Sequence, residues 1–368
     1  MSGILGVSSV TPAFPGIARE MGLSTQEVAL LVTAFTFPGI FLSPFFGVIA
    51  DRIGRKNVVV PSLFLFGGAG FACSFAQDFT FLFVMRVLQG VGASSLGSLN
   101  ATMISDLFKG NERITAMGYN SGVLSVGATI YPAIGGGLAL FGWQYPFLLP
   151  LIAIPVGFLV MFRMNITQPD NVKSLKNYFI ELGLALRQTR ILVLFFTSIL
   201  SFILLYGPIL TYLPFFIEDR FGGDSLAIGL IVSCVAISNG ISSSVLGKLA
   251  LRFGEGVLLK VSFLIYMLAF LLIPVVSNLW LLALPVLLYG WGQGVNLPNI
   301  LNQISKEAPE ETRGAVLAIN GTVLRLGQTL GPVIVGIFFG WFSFEGVYWI
   351  SAIIALLTAL MLWLLFRN

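Results

Sequence analysis

Two arginines, Arg86 and Arg325, stand inside apolar runs long enough to cross a bilayer, and no aspartate or glutamate is centred in any such run. A cation at the bilayer centre costs roughly 2.5–3.5 kcal/mol on insertion scales, so neither side chain is expected to face lipid. Two chemistries suit them: bonding to backbone carbonyls and amides between helices, or meeting an anionic or polar ligand. The amides Gln89, Asn100, Asn120, Asn296, Asn299, Asn302, Gln303, Asn320 and Gln328 accompany them. From these, Arg86, Asn120, Asn296, Asn320, Arg325 and Gln328 form the candidate cavity set. All sixteen carboxylates fall in connections or near run ends, so the runs carry no central acid to hold a proton or attract a cationic compound. Histidine is absent, which removes the commonest metal ligand and general base. Cys73 and Cys234 occupy unrelated places in apolar runs and read as small packing residues, not as a disulfide or metal site. The chain is therefore not expected to be an enzyme or to hold a metal or organic cofactor.

The elements that must position these groups are membrane helices. The composition is 57% hydrophobic and only 10% charged, against about 25% charged in a soluble domain. Long apolar runs predict helices over 1–19, 28–50, 57–77, 79–105, 114–140 and 144–163, then over 191–217, 225–250, 257–276, 279–304, 313–341 and 344–366. We number these helix 1 to helix 12. The expected class is an all-α membrane protein with twelve transmembrane helices. Residues 164–190 carry Asn165, Gln168, Asp170, Lys173, Lys176, Glu181, Arg187 and Arg190 and read as a solvated linker, with a surface helix expected near 175–186. The expected organisation is a six-helix bundle over 1–163, the linker over 164–190 and a second six-helix bundle over 191–368.

The two halves repeat at an offset of 200. Gly47, Ala50, Arg52 and Gly54 recur as Gly247, Ala250, Arg252 and Gly254. Gly90, Gly92, Arg113, Asn120, Gly127, Pro132 and Gly136 recur as Gly290, Gly292, Arg313, Asn320, Gly327, Pro332 and Gly336. Two parallel six-helix repeats account for this, and a ligand site is then expected between the halves near the midplane. Sixteen of the twenty Lys and Arg lie in the connections after helices 2, 4, 6, 8 and 10 or at the C-terminus. The positive-inside rule accordingly places those loops, the linker and both termini in the cytoplasm. That asymmetry, and not nucleic-acid binding, explains the net charge of +4. No cleavable signal segment is visible. Fourteen residues precede Pro15, against roughly two dozen from the start of helix 7 to the corresponding Pro214, so helix 1 spans only about 28 Å. The expectation is a native chain that starts upstream of Met1.

The densest charge lies in Gly47-Val-Ile-Ala-Asp51-Arg52-Ile-Gly54-Arg55-Lys56, between helices 2 and 3. Gly47 would let helix 2 approach a neighbour closely, and Gly54 suits a tight turn that a side chain would obstruct. In helix 5, Pro132 with Gly127, Gly135 and Gly136 predicts a bent, thin helix, and Gly327, Gly331, Pro332 and Gly336 predict the same in helix 11. A bend for rocking and plain close packing both fit.

Over essentially its whole length the chain resembles the major facilitator superfamily, most closely its drug-efflux branch. The Gly47–Lys56 loop fits the family's signature between helices 2 and 3 at every fixed position. Arg86-Val-Leu-Gln89-Gly90-Val-Gly92 fits the fourth-helix signature, and Arg86 resembles the arginine that the family links to proton coupling. Gly127-x-x-x-Tyr131-Pro132-x-x-Gly135-Gly136 fits the fifth-helix antiporter signature, with Tyr131 where a glycine is usual. By analogy, Asp51 would meet the positive N-terminus of helix 11 near Arg313, and Arg55 would pair with Asp106. Together these would latch the halves in the outward-facing state; a merely solvated anchoring loop is the other reading.

What the resemblance implies is secondary transport by alternating access in the cell inner membrane. The expected activity is efflux of small amphipathic molecules by proton antiport. Other readings are an uptake carrier or facilitator for an organic anion, and a lipid-handling flippase or non-transporting sensor on the same fold. The expected partners are a small-molecule substrate and the lipid bilayer, with no nucleic acid and a monomeric state. No G-x-x-x-x-G-K-[ST] phosphate loop is present, which disfavours an ATP-driven pump.

Overall fold

The computed structural model describes residues 2–163, 183, 188–310 and 312–365, and all regular structure among them is helical. The expected linker and its surface helix fall almost wholly outside these residues. The first span, α1, is built from Ser2–Ser8, a 3-10 turn at Thr11–Ala13 and Phe14–Met21. It is not the single helix the apolar run predicts. Pro12 and Pro15 remove two backbone donors, and the hydroxyls of Ser9 and Thr11 bond back to the carbonyls of Leu5 and Val7 at the break.

Four long spans follow: α2 (Thr25–Ile53), α3 (Arg55–Cys73), α4 (Phe79–Leu107) and α5 (Gly110–Ala139). The sixth, α6, joins a 3-10 segment, Tyr145–Ile152, to Ala153–Arg163. The seventh, α7, runs through Thr189–Leu204, a π-helical turn at Leu205–Tyr212 and Leu213–Phe221. Pro208 lies in that widened turn, and Thr211 donates its hydroxyl to the Tyr206 carbonyl at 2.6 Å. Then come α8 (Ser225–Phe253), α9 (Glu255–Leu272) and α10, a short 3-10 turn at Trp280–Leu282 leading into Ala283–Glu307. The last helical stretch, Arg313–Leu365, is parted at Ser343 (φ 59°, ψ −164°) into α11 and α12.

Among the described residues, nine segments are long and apolar enough to cross a membrane, one of them the double-length Arg313–Leu365. The broken α1 and the amide-bearing α10 complete the expected twelve. Carboxylates at the helix starts cap free backbone donors. Asp78 accepts from the Phe81 N–H and Asp224 from the Ala227 N–H, each at 2.8 Å. Ser24 and Glu27 form a reciprocal capping box at the start of α2. Part of the acidic inventory at run ends is thus accounted for.

The repeat holds at the level of contacts. Gly90 seats α4 on the Phe35 carbonyl of α2, and Gly290 seats α10 on the Val235 carbonyl of α8. Gly92 lies against Phe66 of α3, and Gly292 against Tyr266 of α9. Ser43 donates to the Ser94 carbonyl and Ser243 to the Gly294 carbonyl, both at 3.0 Å. Every one of these partners is displaced by the same 200 positions. Close approach through small residues is how membrane helices pack without a hydrophobic driving force between them.

Two seams join the halves. Along α5 and α8, Gly136 abuts the Ser225 backbone and Gly229 the Pro132 backbone. Along α2 and α11, Thr33 donates to the Thr329 carbonyl at 3.1 Å, and the Thr329 and Thr36 hydroxyls lie 2.9 Å apart. The apolar core runs through both halves, from Phe14, Leu31 and Phe66 to Phe216, Tyr266 and Tyr289.

Candidate functional site

The signature loop turns at Gly54, with φ 94° and ψ 139°, and Gly254 takes nearly the same shape at φ 79° and ψ 147°. At Gly254 no atom lies within 4 Å of where a Cβ would stand. Positive φ is what both turns require of glycine, and at Gly254 crowding plays no part. Gly47 likewise has open space beside it, so the close approach expected for it is not made in this structure.

Arg55 is buried and forms an ion pair with Asp106 at the end of α4, and its second partner is Asp51 at 3.6 Å. Asp51 thus faces its own loop here; its ion partner among the described residues is Arg55, and not the start of α11. Arg52 is exposed and Lys56 half-buried. The same corner of the second half holds a pair the sequence reading passed over. Lys306 meets Glu255 at 2.7 Å, and these residues stand 200 positions beyond Asp106 and Arg55 with the signs exchanged. Asn302 donates to the Glu255 carboxylate and Asn299 to its carbonyl, each at 2.7 Å. Gln303 reaches the same carbonyl at 3.4 Å. Three of the amides set beside the arginines on sequence grounds therefore serve this loop.

Arg86 is fully buried. Its Nη1 donates to the Gly6 carbonyl at 2.7 Å and to Gln89 Oε1 at 2.8 Å, and its Nε donates to the Leu31 carbonyl at 3.2 Å. The guanidinium also lies 4.6 Å from the Phe35 ring centre and 6.0 Å from that of Phe147, close enough for cation–π attraction. This structure places Arg86 as a clasp between α1, α2 and α4, not as a wall of an open cavity. Two other members of the cavity set are also sealed: Asn296 and Asn320 are both fully buried. Asn296 accepts from Ser201 at 3.4 Å, while neither amide atom of Asn320 has a partner. Asn120 accepts from Asn100 at 2.7 Å, tying α5 to α4, and Gln328 is half-buried on α11.

Arg325 differs. From α11 it crosses the seam, and its Nη2 makes one long hydrogen bond, 3.4 Å, to the Ser94 carbonyl of α4. Gly39 of α2 and Gly97 of α4 leave the slot for it; a Cβ on Gly97 would stand 3.0 Å from Nη2.

Between the halves, the glycines divide by position. Toward the signature loops, Gly118, Gly122, Gly240, Gly247, Gly314 and Gly321 have nothing within 4 Å of a notional Cβ. Toward the other end, Gly136 and Gly229 are pressed against backbone of the other half, and Gly331 against α7 of its own half. The surface of α5 itself carries an apolar groove of about 370 Å³, lined from that helix alone by residues that include Gly118, Tyr119, Gly122, Val123, Val126 and Gly127, with Tyr119 73% exposed. α5 and α11 run uninterrupted through the buried Pro132 and Pro332. At the opposite end Arg19 of α1 meets Glu218 of α7 at 2.8 Å, above a stacked Phe14–Phe215 pair at 6.4 Å. The halves are sealed at that end and parted at the signature-loop end. Among the described residues no cluster of metal-ligating side chains occurs.

The curated relatives are drug-resistance proteins by name. The chain is 29% identical to "Multidrug resistance protein 1" of Bacillus subtilis over 91% of its length and 86% of the relative's. It is 25% identical to the quinolone resistance protein NorA of Staphylococcus aureus, over 91% of this chain and 86% of that one. It is 22% identical to the class B tetracycline resistance protein of Escherichia coli, over 97% and 93%. A solved D-xylose–proton symporter superposes with a TM-score of 0.78 at 16% identity, covering 98% of this chain and 95% of the other. A bacterial homologue of the human lysosomal transporter Spinster superposes at 0.76, with 15% identity and coverage of 99% and 93%. These likenesses show the fold. The family model described as Major Facilitator Superfamily matches residues 1–226 and 216–368, so this chain belongs to the major facilitator superfamily.

Proposed function

We propose that the protein is a secondary transporter that exports small amphipathic molecules by alternating access, coupled to the proton gradient. The observation that carries this reading is the pair of seams between the halves, closed by Arg19–Glu218 at one end while the glycines toward the signature loops meet no neighbour. Rocking about the glycine and threonine seams would exchange which end is open. The basic signature-loop face is read as cytoplasmic by the positive-inside rule, with both termini on that side and the bacterial inner membrane as its location. The conformation is then inward-facing, and the Asp51 contact with α11 belongs to the opposite state. The curated relatives' names favour antibiotic-like cargo and export. Cells or everted vesicles expressing the protein should move an apolar dye outward from the cytoplasmic face, and an uncoupler should abolish the movement. Dye movement unaffected by expression would sink the export reading; movement indifferent to the uncoupler would sink proton coupling.

A carrier for an organic anion is a second reading, and Arg325 is the observation that favours it. In export or uptake alike, the cleft then carries a positive anchor with no carboxylate opposite it.

A further inference from the structure

The two intramembrane arginines are matched controls for one another. Arg86 is sealed inside the protein, with three hydrogen bonds and two aromatic faces on it and only Nη2 without a partner among the described residues. Arg325 has one hydrogen bond at the limit of length. No carboxylate among the described residues lies within ion-pair reach of it, and its remaining fork donors bond to nothing described. A guanidinium presents five donors in a planar fork suited to two oxygens of one acid group. Arg325 is only half-buried and has no sealed orphan donor, so its free fork donors are open to water or to an acid group of a ligand.

The surroundings are built around the guanidinium and not merely tolerant of it. Gly39 and Gly97 come from two different helices of the first half, and both lack a side chain where the second half's arginine enters. A Cβ at Gly39 would stand 2.9 Å from its Cζ, and one at Gly97 3.0 Å from Nη2. The slot sits one turn from the Thr36–Thr329 hydroxyl contact, so it lies on the seam along which the halves move. The Tyr206 phenol of α7 is its electrostatic neighbour.

Resting on the organic-anion reading, we propose that Arg325 is the anchor of an anion subsite at the α2–α4–α11 junction. The preferred cargo is an amphipathic monoanion, its carboxylate or comparable acid group seated on the guanidinium. Because the anchor reaches across the seam, the acid group replaces the weak Ser94 contact and is held by both halves' surroundings at once. An isosteric neutral molecule enters the same cleft without that anchor.

The test uses the purified full chain and an isosteric pair of probes, 1-naphthaleneacetate and 1-naphthaleneacetamide, in equilibrium dialysis. The wild type should bind the acid at least tenfold tighter than the amide. Arg325→Gln should erase that preference while changing amide binding less than twofold, and Arg325→Lys should keep part of it. Gly97→Ala, which retains the charge but intrudes on Nη2, should also weaken the acid selectively. It serves if Arg325→Gln does not yield folded protein. Failure of the wild type to prefer the acid, or an undiminished preference in both Arg325→Gln and Gly97→Ala, would overturn the proposal. These readouts are of binding, so a protein that binds the acid with the stated preference but moves no dye outward would refute export and leave the subsite standing.

Discussion

Lys306 stands 2.7 Å from Glu255 as the sign-reversed image of the Asp106–Arg55 pair in the other half. In each half the residue just after the turn glycine reaches the end of the fourth helix of its repeat. The geometry of the corner has been kept while its charges were exchanged. A pair that tolerates inversion acts through attraction between neighbouring helices, and the sign is free provided both partners change together.

The two corners should nevertheless differ in strength. Arg55 is 5% exposed, whereas the Lys306 and Glu255 side chains are 61% and 27% exposed. Lys306→Ala should cost less than about 1 kcal/mol, the usual range for a solvated pair. Asp106→Asn leaves a buried guanidinium with only the longer Asp51 contact. It should cost about 2 kcal/mol, short of the roughly 3–5 of fully buried pairs because Asp106 is itself partly solvated. Thermal melts of the purified variants check the order. The double exchange Glu255→Arg with Lys306→Asp should melt close to wild type.

Arg86 predicts a loss of a different kind. Arg86→Met keeps bulk but takes the guanidinium donor from the Gly6 carbonyl and Gln89 Oε1, while the Leu31 carbonyl keeps its intrahelical bond. Each buried acceptor so orphaned costs on the order of 1–3 kcal/mol. The expected result is a melting temperature lowered by more than in Arg325→Gln, with protease nicking appearing first around α1. Equal destabilisation by the two substitutions would contradict the contrast drawn between them.

Much of this was legible in the sequence, for physical reasons. The twelve spans follow from hydropathy, and the repeat from Gly, Pro and Asn residues that have few substitutes where backbones touch. Gly90 and Gly290 are readable because each meets a carbonyl 55 residues upstream in its own half. The Glu255–Lys306 pair was also readable at the same offset, but a search for identical residues misses a pair conserved as geometry with opposite signs. The π-helical turn in α7 was not legible beyond its Gly207-Pro208 signal, and the contact of Gly207 with Gly331 of another helix is one that residue type alone does not give. The sealing of Arg86, Asn296 and Asn320 was beyond sequence too. Residue type says that a polar group lies in the membrane, and only packing says whether it meets the cleft or a carbonyl.

The seam glycines supply a test with an internal control. Gly229 meets the Pro132 backbone across the α5–α8 seam, whereas Gly122 on the same cleft has nothing within 4 Å of a notional Cβ. Gly229→Ala forces the halves apart where they now touch, an overpacking that typically costs about 1–3 kcal/mol. Gly122→Ala should be neutral in melting temperature and in dye export. Equal effects of the two would mean that the seam is not the surface on which the halves bear.

The Arg19–Glu218 contact crosses between α1 and α7 at the closed end, with side chains 71% and 34% exposed. Such an exposed pair contributes under about 1 kcal/mol, which corresponds to at most roughly a fivefold change in a two-state ratio. Glu218→Lys should therefore loosen the closed end without unfolding the protein. A cysteine placed as Phe14→Cys, in a chain whose native cysteines are replaced by alanine, reports this through its rate of labelling by a membrane-impermeant maleimide. The rate should rise two- to fivefold with Glu218→Lys and return when Arg19→Glu is added. A rise that persists in the double exchange would assign the effect to the bulk of the lysine and not to the lost attraction. No rise in either would show that the seal does not depend on the ion pair, because apolar burial beneath it holds the end closed whatever the charges above.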